Sequence, residues 1–299
     1  LLRDFIKACG NKSYIQKNFK TYKALEEELT LNHIKISEKI LSNCKFKIDL
    51  IGFHGQTIIH KPKKGYSIQM GNAHLLSKIL KKKVVYRFRK KDIENKGQGA
   101  PLASIYHYSL SKKIKIKKPI IFLNIGGISN ITFINKNEIY SQDIGPGNVF
   151  MDDYINKEKN KKFDKDGYFA SKGKINKLVT TNYLQKIENK IKKIYSFDKK
   201  DFDYSFINKL SFEDGMATLT YITARIISNY LKKYNNVSTI ILCGGGRKNK
   251  ILINYIKILT LKKIKNIDDY GIDGDFIESQ AFGYLAIRSF LNKKITFPN

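Results

Sequence analysis

The sequence is poor in cysteine and in acidic residues and has no long apolar segment, and each scarcity excludes a class of protein. Its three cysteines, Cys9, Cys44 and Cys243, lie far apart and are odd in number. A disulfide framework and a cysteine-based metal site are therefore excluded. No apolar run reaches the roughly 18 residues of a membrane-spanning helix, and residues 1–20 lack the apolar core of a secretory signal. These absences predict a soluble protein of the cytoplasm that does not contact a membrane.

Acidic residues are outnumbered, since 26 Asp and Glu stand against 56 Lys and Arg and give a formal net charge of +30. A basic surface can neutralise nucleic-acid phosphates. Here the lysines are scattered through every segment, and arginine, which binds phosphates and bases bidentately, is scarce. The densest basic runs, at 113–118 and 262–266, contain no aromatic residue for base stacking. The pattern favours a solvated basic surface over a nucleic-acid or membrane partner.

The hydrophobic residues, 42% of the 299, are enough for substantial cores and argue against a disordered chain. Short apolar runs of strand length alternate with segments of helical periodicity, and this alternation predicts an α/β fold. The basic run before Pro119 is the best domain boundary. We therefore expect an N-terminal domain at 1–118 and a C-terminal domain at 119–299. The strand-like runs include 48–53, 119–135 and 238–243, and the helix-like segments include 73–80, 217–234 and 276–291.

Glycine-rich loops punctuate the chain, and several of them follow apolar runs. A strand that ends in Gly-Gly allows backbone N–H groups to approach an anion closely, which is a common way of holding phosphate. One such loop is weak evidence, but two in the same α/β block, one of them with an acidic residue ahead of Gly-Pro-Gly, predict a nucleotide phosphate site. The loops are GFHGQTIIH (52–60), KGQGAPL (96–102), NIGGISN (124–130), DIGPGN (143–148) and CGGGRKN (243–249).

Eight segments, taken together, carry a resemblance to a known family. They are HGQTIIHKP, QMGN, FRKKDIENKGQGAPL, NIGGISNIT, DIGPGN with MDDYI, ATLTYITA, CGGGRKN and IESQAFGYLAIR, and they extend over roughly residues 50–291. In order and spacing they resemble the motifs of the anhydro-N-acetylmuramic acid kinases. A shared series of this length is far more specific than any single glycine motif.

The resemblance implies a fold, a reaction and a set of ligands. The fold is that of the sugar kinase/actin superfamily, ribonuclease H-like, with two α/β domains around a central nucleotide cleft. The reaction uses ATP and Mg²⁺, opens the 1,6-anhydro ring of anhydro-N-acetylmuramate with water, and phosphorylates O6. The product is N-acetylmuramate 6-phosphate, an intermediate of cell-wall recycling. A homodimer is compatible with the resemblance, whereas a nucleic-acid partner is not implied.

Asp143 is the expected catalytic residue. Phosphoryl transfer needs charge neutralisation and a carboxylate that orients or deprotonates the nucleophile, here a water. Asp143 lies in the motif that matches the catalytic aspartate of the family, and Gly145, Pro146 and Gly147 would form a turn that aims it. The alternative is that Asp143 caps a helix over 148–155.

Two glycine segments are the expected nucleotide site. The first matches the second phosphate-binding hairpin of the superfamily, and the second matches the loop that packs against adenosine. Ordinary tight turns are the alternative for both. The residues are Asn124, Gly126 and Gly127 in the first segment and Gly244, Gly245 and Gly246 in the second.

Three residues are expected to hold the sugar. Thr57 and Arg89 are candidates for the muramyl part, because an arginine can bind the lactyl carboxylate bidentately. Glu278 matches a sugar-facing residue of the family, although an acid at a helix start is also favoured by the helix dipole. His54 and His60, in the same motif as Thr57, either contact the ligand or serve as structural histidines.

No metal ligand is assigned. Asp152 and Asp153 either hold Mg²⁺ through water or are simply first-turn helix acids. Residues 1–50 contain nothing like the Gly/Ser/Thr-rich phosphate hairpin of the family, and the sequence starts at Leu1 without Met. We therefore expect an incomplete N-terminal domain. The alternatives to an active kinase are a truncated, catalytically weak sugar- or nucleotide-binding relative and, behind it, a basic nucleic-acid-binding protein.

Overall fold

The computed structural model of the chain describes residues 1–136, 138–193, 197, 201–237 and 239–297. Helices and strands alternate as the sequence predicts, and the α/β class is confirmed. In the described ranges, no helix has both the length and the apolar character needed to cross a membrane. The helices are α1 (Leu2–Ala8), α2 (Lys12–Lys17), α3 (Phe19–Asn43), α4 (Ala73–Leu80), α5 (Lys90–Glu94), α6 (Ser104–Lys113), α7 (Val149–Lys159), α8 (Lys177–Lys193), α9 (Phe212–Leu231), α10 (Lys250–Thr260) and α11 (Ile277–Phe290). The strands are β1 (Leu50–Gly52), β2 (Gln56–Lys61), β3 (Tyr66–Met70), β4 (Lys83–Val85), β5 (Ile120–Ile125), β6 (Ile128–Ile134), β7 (Ile139–Pro146), β8 (Thr239–Cys243) and β9 (Lys263–Asn266).

The chain divides into two compact units. Unit 1 consists of Leu1–Tyr106 with Glu278–Asn299, and unit 2 consists of His107–Ile277. The division differs from the expected boundary at Pro119. His107 stacks on Phe122 with ring centroids 4.8 Å apart, and this contact ties the second half of α6 to the sheet of unit 2. The C-terminal segment, expected in the second domain, instead returns to unit 1.

Unit 1 contains two small sheets and the helices around them. β1 pairs with β4 in parallel, and β2 pairs with β3 as an antiparallel hairpin. Leu25 and Met70 are buried in one apolar cluster, while Phe53 and Leu76 are buried in another. Helix α11 packs closely on β1, because a Cβ atom placed on Gly52 would lie 2.6 Å from the Phe282 carbonyl oxygen.

Unit 2 is built on one five-stranded sheet. Along the sheet the order is β7-β6-β5-β8-β9, so that in chain order the third strand lies at one edge and the fifth at the other. β6 is antiparallel to β5 and β7, whereas β8 and β9 run parallel to β5. This is the ribonuclease H-like topology that the sequence predicts. The central strand β5 and its neighbour β8 are apolar because both faces of the sheet are covered.

The carboxyl ends of three strands lie at the same end of this sheet, here called the glycine edge. β5 ends at Ile125, β8 at Cys243 and β7 at Pro146. β7 shares the direction of β5, since each of them is antiparallel to β6. Ligands of open α/β sheets bind at the carboxyl ends of the strands. The topology therefore makes the glycine segments after β5 and β8, and the one that ends β7, the candidate ligand site.

Candidate active site

The glycine hairpin between β5 and β6 is bonded to the segment that leads into α7. The Gly147 and Val149 N–H groups donate to the Gly127 carbonyl at 2.9 and 3.1 Å, and the Asn148 N–H donates to the Gly126 carbonyl at 2.7 Å. A Cβ atom on Gly147 would lie 2.2 Å from the Gly126 oxygen. Only glycine permits this approach, so the backbone of the two segments forms one unit.

The third glycine segment packs against the end of β5. Gly244 has φ +78°, and a Cβ atom there would lie 2.4 Å from Asn124 Oδ1. A Cβ atom on Gly246 would lie 2.3 Å from Ile125 Cγ2. The structure therefore brings the two predicted nucleotide segments to the same end of the sheet, at the glycine edge. They comprise Asn124, Gly126 and Gly127 on one side and Gly244, Gly245 and Gly246 on the other.

Asn148 joins the three segments, and sequence reasoning did not single it out. Its Nδ2 lies 3.5 Å from the Ile125 carbonyl, and its Oδ1 would lie 2.9 Å from a Cβ atom on Gly246. Gly245 is exposed, and a Cβ atom there would have its nearest neighbour, Asn148 Nδ2, at 3.9 Å. The edge is thus a glycine-lined, accessible backbone surface of the type that binds phosphate. The available signal was the position of Asn148 directly after Gly-Pro-Gly and before a helix.

Arg247 anchors the loop that contains Gly244. Its side chain is only 2% exposed, and its Nε and Nη2 donate to the two carboxylate oxygens of Asp268 at 2.7 and 3.2 Å. Nη1 donates to the Gly244 carbonyl at 3.1 Å and to Asp275 at 2.9 Å. The hydrogen bonds from Arg247 lower the pKa of Asp268, and the same bonds raise the pKa of Arg247. Arg247 belongs to the motif CGGGRKN, but the motif does not predict this role.

Asp143 lies within β7, half-buried and opposite Asn130 of β6. Its Oδ2 accepts a hydrogen bond from the Phe197 N–H at 2.9 Å. Helix α7 begins at Val149 after Asn148, so the alternative in which Asp143 caps this helix is wrong. The expected turn is also partly a strand, because β7 continues through Pro146. The carboxylate is held by the sheet at the edge where the glycine segments meet.

Asp152 and Asp153 belong to the first turns of α7, where the positive end of the helix dipole favours acids. Asp152 is half-buried and Asp153 is exposed. Among the residues that the structure describes, no group of three or more His, Cys, Asp or Glu side chains could hold a metal ion. Mg²⁺ in kinases is bound by one or two carboxylates together with substrate phosphates. The carboxylates of Asp152 and Asp153 would fit an ion that is held largely by the nucleotide.

In unit 1, Arg89 donates to a histidine ring and to a backbone carbonyl. Its Nε donates to His54 Nε2 at 3.1 Å, and its Nη1 donates to the Gly99 carbonyl at 2.6 Å. The His54 ring in turn packs on Phe282 of α11 with centroids 4.5 Å apart. Phe88, the neighbour of Arg89, packs on the same Phe282 ring at 5.4 Å. Arg89 is therefore linked to the helix that carries Glu278.

The other predicted sugar residues lie on separate elements of unit 1. Thr57 is half-buried on β2 opposite Gln69, and Glu278 is exposed in the first turn of α11. His60 lies further along β2, and its Nδ1 is 3.0 Å from Ser67 Oγ on β3. His60 thus has a structural contact across the hairpin, whereas His54 contacts the predicted sugar-binding arginine.

A cavity of about 580 Å³ lies in unit 1. It has room for a small sugar, and polar groups are prominent in its wall. His54 forms part of this wall, so the residue that contacts Arg89 also faces open space. Other residues of the wall are Tyr22, Glu26, Gln69, Arg87 and Lys90.

The solved structures that resemble the chain include two remote likenesses. One is an activator of 2-hydroxyisocaproyl-CoA dehydratase from Clostridium difficile with bound ADPNP, with TM-score 0.36 and 15% identity over 61% of this chain and 66% of that chain. The other is the ethanolamine utilization protein EutJ from Carboxydothermus hydrogenoformans, with TM-score 0.46 and 10% identity over 87% of this chain and 74% of that chain.

Sequence comparison gives much stronger matches. The sequence profile of the anhydro-N-acetylmuramic acid kinases matches residues 2–295. The anhydro-N-acetylmuramic acid kinase of Pelagibacter ubique is 46% identical over 100% of this chain and 82% of its own length. The corresponding kinase of Zymomonas mobilis is 36% identical over 91% of this chain and 76% of its own length. The chain therefore belongs to the anhydro-N-acetylmuramic acid kinase family, as its motifs predict.

Proposed function

We propose that this kinase uses ATP to convert anhydro-N-acetylmuramate into N-acetylmuramate 6-phosphate in the cytoplasm, as a step of cell-wall recycling. A water molecule adds to C1 of the sugar, the C1–O6 bond of the anhydro ring breaks, and O6 receives the γ-phosphoryl group. The observation that carries the proposal is the position of Asp143. Asp143 lies on β7, four residues before Gly147, where the segment that is hydrogen-bonded to the glycine hairpin begins.

Asp143 is the proposed general base. Its carboxylate accepts a proton from the attacking water, which strengthens the nucleophile at C1 as the anhydro bond breaks. The hydrogen bond from the Phe197 N–H to Oδ2 restricts rotation of the carboxylate. The proton leaves to solvent after the product is released, and the carboxylate is restored for the next turnover.

The glycine edge of unit 2 is the proposed nucleotide site. Gly127 would present its backbone N–H group to the phosphates, whereas the Gly126 N–H donates to the Ile128 carbonyl at 3.2 Å and shapes the hairpin. Asn124 lies at the strand end beside them. Gly244, Gly245 and Gly246 would pack against the adenosine. Mg²⁺, when bound with the nucleotide, supplies positive charge that neutralises the phosphates during transfer.

Unit 1 provides the proposed sugar residues. Arg89 would bind the lactyl carboxylate, because a guanidinium matches a carboxylate in charge and geometry. Thr57 would donate its hydroxyl hydrogen to a sugar oxygen, and Glu278 would accept from a sugar hydroxyl. Each of these assignments concerns an accessible or half-buried residue of the unit.

The test is the formation of ADP by the full-length protein with and without anhydro-N-acetylmuramate. We expect ADP release to depend on the anhydro sugar and to be negligible with N-acetylmuramate, which has no anhydro ring to open. ADP release at the same rate without any sugar would contradict the proposal.

A further inference from the structure

We infer that His54 is a positioning residue that holds the Arg89 guanidinium in place for an anionic group of the sugar. The inference rests on the proposed function, in which Arg89 binds the lactyl carboxylate. It assigns a role to His54, which contacts Arg89 directly. From the sequence, His54 in the motif HGQT was either a structural histidine or a ligand contact.

The hydrogen bonds of His54 fix its tautomer. Nδ1 lies 2.9 Å from the Gly55 carbonyl oxygen, which can only accept, so Nδ1 carries the proton. Nε2 lies 3.1 Å from Arg89 Nε, which always carries a hydrogen, so Nε2 accepts. Both bonds are satisfied together only by the neutral imidazole protonated on Nδ1.

The surroundings keep this imidazole neutral. Burial, together with a smaller effect of the positive charge of Arg89, lowers the pKa of His54 to about 4. A protonated ring would place a hydrogen on Nε2 and turn it from an acceptor into a donor that faces another donor. The contact with Arg89 therefore persists at neutral pH.

His54 and the Gly99 carbonyl orient Arg89 without adding a negative charge beside it. His54 and the Gly99 carbonyl are both neutral, whereas the nearby carboxylate of Asp92 accepts from the Gly99 N–H at 2.6 Å. A carboxylate in the place of His54 would orient the guanidinium but would also neutralise it. A neutral acceptor such as His54 orients the guanidinium without itself cancelling the positive charge.

Packing fixes the imidazole itself. The ring lies on Phe282 at 4.5 Å, and α11 approaches β1 so closely that a Cβ atom on Gly52 would meet the Phe282 carbonyl oxygen at 2.6 Å. His54 is also in the wall of the 580 Å³ cavity of unit 1. The residue that orients Arg89 is thus rigidly mounted beside space for a ligand.

The experiment compares His54→Phe, His54→Gln and Arg89→Lys in the full-length kinase. Phe keeps a ring on Phe282 but accepts no hydrogen bond, whereas the Gln amide oxygen can accept from Arg89 Nε. We expect His54→Phe to raise KM for the anhydro sugar about 10-fold or more, as loss of a bond to a charged group does, while KM for ATP stays within about 2-fold. His54→Gln recovers most of this loss. The matched control is His33→Phe, an exposed His-to-Phe change in the same unit that leaves both KM values unchanged.

Arg89→Lys separates this inference from the proposed function. A sugar KM that is unchanged by Arg89→Lys overturns the sugar-binding role of Arg89 and the inference with it. A raised sugar KM in Arg89→Lys with an unchanged one in His54→Phe overturns the positioning role alone. Nitrogen-15 NMR of the unmutated protein gives a test that does not depend on a variant: we expect a proton on His54 Nδ1 and none on Nε2 at pH 7, and the opposite tautomer overturns the inference.

Discussion

At the scale of single residues, the proposed chemistry depends on how Asp143 is held. Its place inside β7 fixes the backbone, and the Phe197 N–H fixes one carboxylate oxygen. A side chain restrained in this way needs little reorganisation when it accepts a proton. An amide in place of this carboxylate could keep the hydrogen bond from the Phe197 N–H while removing the charge.

We expect Asp143→Asn to reduce kcat at least about 10²-fold, the contribution typical of a general base, while ATP affinity changes little. The Asn amide oxygen can still accept from the Phe197 N–H, so the fold should be retained. Steady-state kinetics, ATP titration and circular dichroism check these three statements. Glu158→Gln, an exposed change on α7, is the control and should leave kcat unaltered. Loss of the native circular dichroism spectrum in Asp143→Asn would show that the carboxylate is structural.

His107 gives a prediction about pH and stability. It is 1% exposed, its Nδ1 lies 2.8 Å from Thr132 Oγ1, and burial lowers its pKa from 6.5 to about 4. Since the unfolded chain takes up this proton below about pH 6.5 and the folded chain does not, His107 stabilises the fold above that pH. This stabilisation is lost progressively as the pH falls from 6.5 towards 4.

Between pH 7 and pH 5 we expect His107 to contribute about 1–2 kcal/mol to the decrease in the free energy of unfolding. His107→Phe, which keeps a ring against Phe122, should therefore show a smaller decrease than the unmutated protein. Urea denaturation at the two pH values measures the difference. His33→Phe, which changes an exposed histidine, should behave like the unmutated protein, and an equally large decrease in His107→Phe would contradict the prediction.

The candidate site residues on glycine motifs could be selected from the sequence because a strand followed by Gly-Gly is a local pattern. Asn124, Gly126 and Gly244 were found in this way, and the structure brings them to one edge. The partners of Arg247 could not be found, because Asp268 and Asp275 meet it only through the fold of the sheet. No local spacing distinguishes these two acids from other surface acids.

At the scale of elements, the three glycine segments behave as one backbone surface. The hairpin between β5 and β6 is bonded to the start of α7, and the loop after β8 fits against the end of β5. A Cβ atom added to a glycine where two of these segments are in close contact has to push one segment away from the other. The geometry of this surface should therefore be more sensitive to small substitutions than to loss of a surface charge.

Gly244→Ala tests this sensitivity. Because Gly244 has φ +78° and its Cβ position lies 2.4 Å from Asn124 Oδ1, we expect the loop to shift and KM for ATP to rise by about 10-fold, while KM for the sugar changes little. The control is Gly271→Ala in the same unit, where φ is +69° and nothing lies within 4 Å of the Cβ position.

Gly271→Ala should cost about 1 kcal/mol of stability through its backbone conformation alone and leave KM for ATP unchanged. Steady-state kinetics of the two variants, with urea denaturation alongside, makes the comparison. Equal effects of the two substitutions on KM for ATP would show that backbone strain, rather than the contact with Asn124, matters.

Element prediction succeeded where periodicity is strong and failed where it is mixed. The apolar runs of β5, β6 and β8 predict strands, and the structure has strands there. β7 carries Gln, Asp, Gly and Pro and was expected to end in a turn, but it lies at the sheet edge, where one side needs no strand partner. β9 alternates Lys and Ile at the opposite edge, and its sequence was interpreted only as a basic run.

At the scale of the whole molecule, the fold class follows from the sequence but the division into units does not. Alternating strands and helices are a local signal. The return of the C-terminal segment to unit 1 depends on contacts such as Phe282 with His54, which are far apart in the chain. A boundary taken from a change in composition cannot detect such a return.

The charge of +30 gives a whole-molecule prediction. We expect duplex DNA to bind weakly at low salt and to be lost by about 0.2 M salt, because scattered lysines neutralise phosphates without reading sequence. Fluorescence anisotropy at increasing salt concentration measures this, with kinase activity measured in parallel and unchanged by DNA. Tight binding that persists at about 0.2 M salt would favour a nucleic-acid role for the surface.

The central claim is that one protein joins addition of water to transfer of a phosphoryl group. Mass spectrometry of the sugar product, formed by the full-length protein from ATP and anhydro-N-acetylmuramate, tests it most directly. The account predicts a product that has gained one water and one phosphoryl group. A phosphorylated sugar that has gained no water, with the anhydro ring intact, would contradict it.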